Sequence, residues 1–298
     1  PFRPSLPAYT HTGELPLFVH PEHLYKGIGS ALLEKLLEAC GQSRIREVLA
    51  VMAVDVLVVS AHPDDAELAC GGLLLSCQAA GARVGVVDLT LGELGSRGSA
   101  AIRARECAEA TKILGLDVRL NLGLSDGFVE YSIENRTRIV EVIRAEQPRI
   151  IVGPYWEDHH PDHMHTSSLM KDAWWFAGVT KHPGGKNIHR PEIMLFHLGR
   201  YLLQPSLIID ITDHFRTKLR AVTCYASQLS TQATKASGIQ SDDIETYLSR
   251  SDFLAAWEGV HRHYGQMIGA SFGEAYLMRN PVPITDPMTL LASRPGVM

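Results

Sequence analysis

The chain has 298 residues, 45% of them apolar and 20% charged, with a formal net charge of -5. That is enough apolar material for one large domain or two small ones. It holds no basic stripe, which argues against nucleic acid as a partner, and no apolar run of membrane-spanning length, which argues against a membrane.

The sequence opens on Pro1, and its opening stretch differs in pattern from the rest. Leu17-Phe18-Val19-His20 precedes Lys26-Gly27-Ile28-Gly29-Ser30-Ala31-Leu32-Leu33, with a helix expected to about Cys40 and a strand at Glu47–Val51. Strand, glycine turn and helix N-terminus together form a cradle for a pyrophosphate. The segment resembles the acetyl-CoA-binding core of the GNAT acetyltransferases, Gln/Arg-x-x-Gly-x-Gly/Ala. Gly27 and Gly29 match, while Leu24 stands where Gln or Arg is expected. So short a segment cannot supply a whole acyltransferase sheet. Met52, directly before Ala53-Val54-Asp55-Val56-Leu57, is a natural start for a hydrolase domain. Residues 1–51 are therefore expected to be a partial, non-functional acetyltransferase remnant, left by fusion or a frame artefact. Residues 52–298 are expected to be a domain of their own. The rival is an acetyl-CoA-binding acyltransferase working through residues 1–51.

From Val54 onward, apolar runs alternate with amphipathic ones. Strands are expected at Val54–Ser60, Arg83–Leu89, Val118–Leu122, Arg149–Gly153, Ile193–His197 and Ser206–Ile211. Helices are expected at Ala66–Ala80, Ser99–Leu114, Glu134–Glu146, Asp213–Ala226 and Asp252–Ile268. Thr231–Asp243 reads as a polar loop, and the tail from Asn280 as a surface segment. This is the pattern of an α/β domain, a Rossmann-like mostly parallel sheet covered by helices on both faces. Ligands of such sheets sit beyond the carboxyl ends of the strands.

Two clusters fall at such ends. Ala61-His62-Pro63-Asp64-Asp65 follows the first strand. Glu157-Asp158-His159-His160-Pro161-Asp162-His163 follows Arg149–Gly153, with three histidines and two aspartates in seven positions. A helix N-cap explains one aspartate of the first cluster. Adjacent carboxylates beside histidines are costly to pack unless a cation or strong donors neutralise them. Two histidines and one aspartate form a suitable shell for Zn²⁺ with a position left for water, and a second aspartate can take a proton. The same mixed shell also suits iron(II), cobalt and manganese. The expectation is a metal-dependent hydrolase.

Ala-His-Pro-Asp-Asp and His-Pro-Asp-His, intact at Ala61–Asp65 and His160–His163, are the signature motifs of the PIG-L/LmbE-like N-acetylglucosaminyl deacetylases. From about Asp55 to Asp286 the chain resembles that family. Val87–Gly98, Asn121–Gly127, Glu134-Asn135-Arg136 and His189-Arg190-Pro191 look like its bacillithiol-pathway branch, whose substrate is N-acetylglucosaminyl malate. The resemblance implies His62, Asp65 and His163 as zinc ligands and Asp64 as general base. It implies His160 as the group that stabilises the tetrahedral intermediate and protonates the leaving amine, with Asp162 orienting it, and Arg103 at the site edge. Tyr201, Tyr225 and Tyr247 are candidates for an assisting tyrosine, and Arg97, Arg103 and Arg190 for donors to the malate carboxylates. Other N-acetylglucosamine conjugates, a mycothiol precursor or a chitooligosaccharide, are the alternative substrates. Relatives form trimers or hexamers, so a homo-oligomer is implied.

Five cysteines (Cys40, Cys70, Cys77, Cys107, Cys224), an odd number without CxxC spacing, suit a reducing cytoplasm better than a disulfide framework. Cys70, near the first cluster, reads as a small apolar helix residue rather than a redox-sensitive neighbour.

Overall fold

The structure, a computed structural model, describes residues 12–13, 35, 47–48, 54–229, 245–281, 284 and 286. The chain divides into two compact units, Pro1–Met52 and Ala53–Met298. In the first, β1 (Thr12–Gly13) pairs in parallel with β2 (Glu47–Val48), the start of the strand expected at Glu47–Val51. The expected strand at Leu17–His20 and the Gly27/Gly29 turn lie outside the described residues, as do the Thr231–Asp243 loop and all of the helix to Cys40 except Lys35, which is helical.

The second unit runs β3 (Val56–Ser60), α1 (Asp65–Ala79), β4 (Val84–Thr90), α2 (Ala100–Leu114), β5 (Val118–Leu124), α3 (Ile133–Glu146), β6 (Ile150–Pro154), α4 (Pro161–Ala177), β7 (Ile193–His197), β8 (Leu207–Asp210), α5 (Phe215–Thr223), α6 (Phe253–Met267) and β9 (Gly273–Leu277). Its seven-stranded sheet has the order β5-β4-β3-β6-β7-β9-β8. The first five strands are parallel, and β9 runs antiparallel to both β7 and β8. The α/β expectation holds. Helix α4 and strand β9 are additions to it.

Apolar side chains cover both faces of the sheet. Leu57 and Val59 of β3 pack with Ile139 and Ile143 of α3 and with Leu169 and Met170 of α4. Val56 and Val58 point the other way, onto Leu73 and Leu74 of α1 and Ala110 and Leu114 of α2. Alternate residues of one strand thus feed two cores, which is why β3 is apolar throughout. Helix boundaries follow ordinary chemistry: Ser99 and Ser132 cap α2 and α3 through their hydroxyls, and left-handed Gly115 ends α2.

Buried polar groups lock the helices against the sheet. Arg119 of β5 donates to both carboxylate oxygens of Asp88 and to Glu67 of α1, which also accepts from the Tyr225 hydroxyl. Lys218 Nζ lies 2.5 Å from Glu274 Oε1 and 2.7 Å from His261 Nε2, all three side chains being buried. Glu274 also accepts from the backbone N–H groups of Gly72 and Leu73 in α1. Glycine is required at 72, because a Cβ there would come within 2.7 Å of Glu274 Oε1 and 2.5 Å of an Ile211 methyl. Cys70 is fully buried and burial pushes its thiol up, in keeping with its reading as an apolar helix residue. No helix among the described residues is long and apolar enough to cross a membrane.

Candidate active site

Strands β3 and β6 are hydrogen-bonded neighbours, pairing Val56–Val58 with Ile150–Val152. Their carboxyl ends therefore deliver the two sequence-distant clusters to one rim. Beyond β3, the Ala61 carbonyl accepts from both the backbone N–H and the hydroxyl of Thr90, which pins the turn to β4. Proline at 63 stiffens the approach to Asp64, whose φ of 124° lies far outside the usual range for a residue with a Cβ. This strained step separates two adjacent carboxylates. Asp64 turns toward Arg103, while Asp65 Oδ2 folds back to accept the His62 backbone N–H at 2.8 Å. Strain of this kind costs about 1–3 kcal/mol and persists where the surroundings enforce it.

Beyond β6, α4 begins at Pro161, a position where proline loses no helical hydrogen bond. His160 is its N-cap, its Nδ1 accepting the Asp162 N–H at 3.2 Å. Asp158 Oδ1 accepts the His160 N–H at 2.9 Å and lies 3.2 Å from His163 Nδ1. The other face of His163 points across the rim, Nε2 being 3.3 Å from Asp65 Oδ2. Asp65 Oδ2 is in turn 3.4 Å from His62 Nδ1.

One donor atom from each of His62, Asp65 and His163 lies within 4.8 Å of the others. Two imidazole nitrogens and a carboxylate oxygen suit a divalent transition metal. The second ring nitrogens support that fit. His62 Nε2 faces Asp126 Oδ1 at 3.1 Å and Asp162 Oδ2 at 3.3 Å, and His163 Nδ1 faces Asp158. Carboxylates behind ligand imidazoles are the usual outer support of a metal site.

The electrostatics are those of tightly opposed charges. Burial by itself would lower the His163 pKa, but Asp65 and Asp158 outweigh it and hold the group at about 9. Burial likewise opposes the charge of Asp65, yet His163 and His62 keep that carboxyl well below its usual range. Asp64 goes the other way. Burial raises it and Arg103 only partly compensates, leaving it at about 7, where a group can both accept and return a proton. Burial, with His62 and His163 beside it, lowers His160.

The seven expected residues meet at this rim, with two adjustments. Arg103 is not at the edge: it is 5% exposed, and its Nη1 donates to Asp64 Oδ2 at 3.1 Å and to the Pro63 carbonyl at 2.9 Å. The Asp162 carboxylate does not bond to His160. Its oxygens take His62 Nε2 and the backbone N–H groups of Gly127 and Val129, so what it orients is His62 and the Gly127–Val129 turn. Asp126, Asp158 and His197 also line the cavity, and sequence reasoning had given them no role. Asp126 and His197 could have been found by position, since each lies at the carboxyl end of a parallel strand, β5 and β7. Of the tyrosines, Tyr225 is committed to Glu67, Tyr201 stacks on His159 with ring centroids 5.0 Å apart, and Tyr247 lines the cavity.

Comparison with known proteins gives the family. Residues 57–174 match the model of the PIG-L family, described as GlcNAc-PI de-N-acetylase. Diacetylchitobiose deacetylase of Thermococcus kodakarensis is 32% identical over 238 residues, which cover 74% of this chain and 80% of the relative. The chain belongs to the PIG-L family. It is accordingly an N-acetyl-sugar deacetylase. A probable N-acetyl-alpha-D-glucosaminyl L-malate deacetylase 2 of Bacillus anthracis is 29% identical over 220 residues, covering 66% of this PIG-L member and 93% of the relative. Among solved structures, the conserved protein TT1542 from Thermus thermophilus superposes with a TM-score of 0.68 at 34% identity, over 78% of this chain and 97% of the other. Residues 2–62 match the acetyltransferase (GNAT) family.

Proposed function

We propose that the chain removes acetate from a small N-acetylglucosamine conjugate, with a divalent cation held by His62, Asp65 and His163. The observation that carries this reading is the convergence of those three donors on one point, with the Arg103-bound Asp64 beside them. Zinc suits the donor set, and iron(II), cobalt and manganese share the preference. When bound, such a cation supplies Lewis acidity toward water and the amide carbonyl.

The residues do the rest. Asp64 takes the proton of the water whose oxygen adds to the acetamide carbon. Arg103 holds that carboxylate in place and, buried with it, keeps bulk water from competing. His160 donates toward the carbonyl oxygen as its charge grows. The carbon–nitrogen bond then breaks, the sugar nitrogen receives the proton that Asp64 took from water, and acetate leaves. Asp162 and Asp126 act one step back, holding the His62 ring.

The aglycone we propose is malate, on the likeness of Val87–Gly98 and Asn121–Gly127 to the bacillithiol-pathway branch. A chitooligosaccharide is the second reading, favoured by the 32%-identical relative named for diacetylchitobiose. Residues 1–51 we propose to be without acetyltransferase function, and the reducing cytoplasm to be the site of action, in line with the free thiols of Cys70, Cys77, Cys107 and Cys224. The deciding experiment is acetate release from N-acetylglucosaminyl malate and from diacetylchitobiose by the metal-reconstituted protein. Turnover of neither sinks the proposal.

A further inference from the structure

The rim cluster opens into a cavity of about 600 Å³, large enough for much more than one acetamide. Two arginines line it, Arg103 and Arg200. Arg103 is already occupied by Asp64 and the Pro63 carbonyl. Arg200 is exposed, and among the described residues no Asp or Glu forms an ion pair with it.

The backbone aims Arg200 deliberately. Strand β7 ends at the buried, cavity-lining His197, and the chain then turns, the Tyr201 N–H donating to the Leu198 carbonyl at 3.0 Å. Gly199 makes the turn in the left-handed region, φ 57°, where a Cβ would stand 3.1 Å from Asp158 Oδ2. The next residue is thereby directed over the crevice. Its guanidinium carbon sits 3.9 Å from the ring centroid of Tyr247, itself part of the cavity wall. An arginine stacked on an aromatic face is pre-ordered, and its N–H edge stays free for a planar anion.

The arginines that the sequence put forward for this task are engaged elsewhere. Arg97 Nε donates to the Ser227 carbonyl. Arg190 lies 4.6 Å over the Trp175 ring and donates to that residue's carbonyl, and neither Arg97 nor Arg190 lines the cavity.

We infer that Arg200, seated on Tyr247, binds a carboxylate of the aglycone and so selects anionic conjugates. The inference rests on the deacetylase reading and adds the residue that chooses among its substrates. A guanidinium also takes phosphate, so the test separates the two anions.

The test compares kcat/KM of wild type and Arg200→Gln on three α-glycosides of N-acetylglucosamine: the malate, the 1-phosphate and the neutral methyl glycoside. Unchanged thermal unfolding shows that the variant is folded. Wild type should prefer the malate to the methyl glycoside. Arg200→Gln should cut that preference about 10- to 100-fold, mainly through KM, as expected for one charge-assisted pair lost from ground-state binding. An undiminished preference, or an equal loss on all three substrates, overturns the inference and leaves the deacetylase reading intact. A preference for the phosphate that alone depends on Arg200 overturns the carboxylate assignment. Wild type releasing acetate from diacetylchitobiose but from none of these three overturns this inference alone, and release from none of the four overturns the deacetylase reading with it.

Discussion

Arg103 Nη1 and Asp64 Oδ2 meet at 3.1 Å with both side chains almost closed off from solvent. Each would be costly there alone. Arg103→Met should destabilise the protein by about 3 kcal/mol, the usual penalty for stranding one partner of a buried pair. The double variant Asp64→Asn/Arg103→Met should cost less than the sum of the singles by about 1–3 kcal/mol. Urea unfolding of the four proteins checks this, and strict additivity would refute the pairing.

The backbone at Asp64 offers a separate test. Asp64→Ala keeps the strained φ of 124° and loses the carboxylate, while Asp64→Gly loses both the carboxylate and the strain. The glycine variant should be the more stable of the two by about 1 kcal/mol, after allowing for the extra freedom glycine has when unfolded. An Asp64→Gly protein less stable than Asp64→Ala, by the usual unfolded-state cost of glycine, would mean that the turn is not strained.

Metal retention and turnover should come apart at adjacent residues. Asp64→Asn should keep bound metal through dialysis yet lose about 100- to 10,000-fold in acetate release, the range for removal of a general base. His163→Ala should lose both metal and activity. Metal content per chain, measured beside rate, decides. An Asp64→Asn protein of near-normal rate would move the base elsewhere.

Acid stability should report on the interior, away from the rim. Burial, with Lys218 at 2.7 Å, lowers the His261 pKa from 6.5 to about 2, so the folded protein holds this ring neutral. Above pH 6.5 the ring is neutral in both states and contributes no pH dependence. Below 6.5 the unfolded chain takes up a proton that the folded one refuses, and stability should fall by about 1.4 kcal/mol per pH unit. His261→Asn should remove that share of the slope between pH 6.5 and 5. Identical slopes would show that His261 protonates freely in the native state.

The central parallel strands β3, β4 and β6 were legible because both of their faces are buried, a pattern that a doubly covered sheet demands, whereas edge strand β5 alternates Leu120 and Leu122 with Arg119 and Asn121. The two motifs were legible because aspartate and histidine at strand ends have few other reasons to cluster. Helix α4 was hidden inside the second motif, whose histidines drew the eye although Pro161 at its first turn and Leu169, Met170, Ala173 and Ala177 along its buried side mark it. Strand β9 was hidden by its polar side chains. Its Glu274 and Tyr276 look like surface residues until Lys218 arrives from α5. Side-chain partners were the least readable. Asp162 adjoins His160 and His163 in the chain, yet its carboxylate reaches His62, a hundred positions away.

The cap at the head of α4 has a consequence for protons. Because His160 Nδ1 receives the Asp162 N–H, it must keep its lone pair there, and a neutral ring carries its hydrogen on Nε2. That single contact selects one tautomer out of two. The imidazole can then serve as a hydrogen donor while uncharged, with no need to become imidazolium before the substrate arrives.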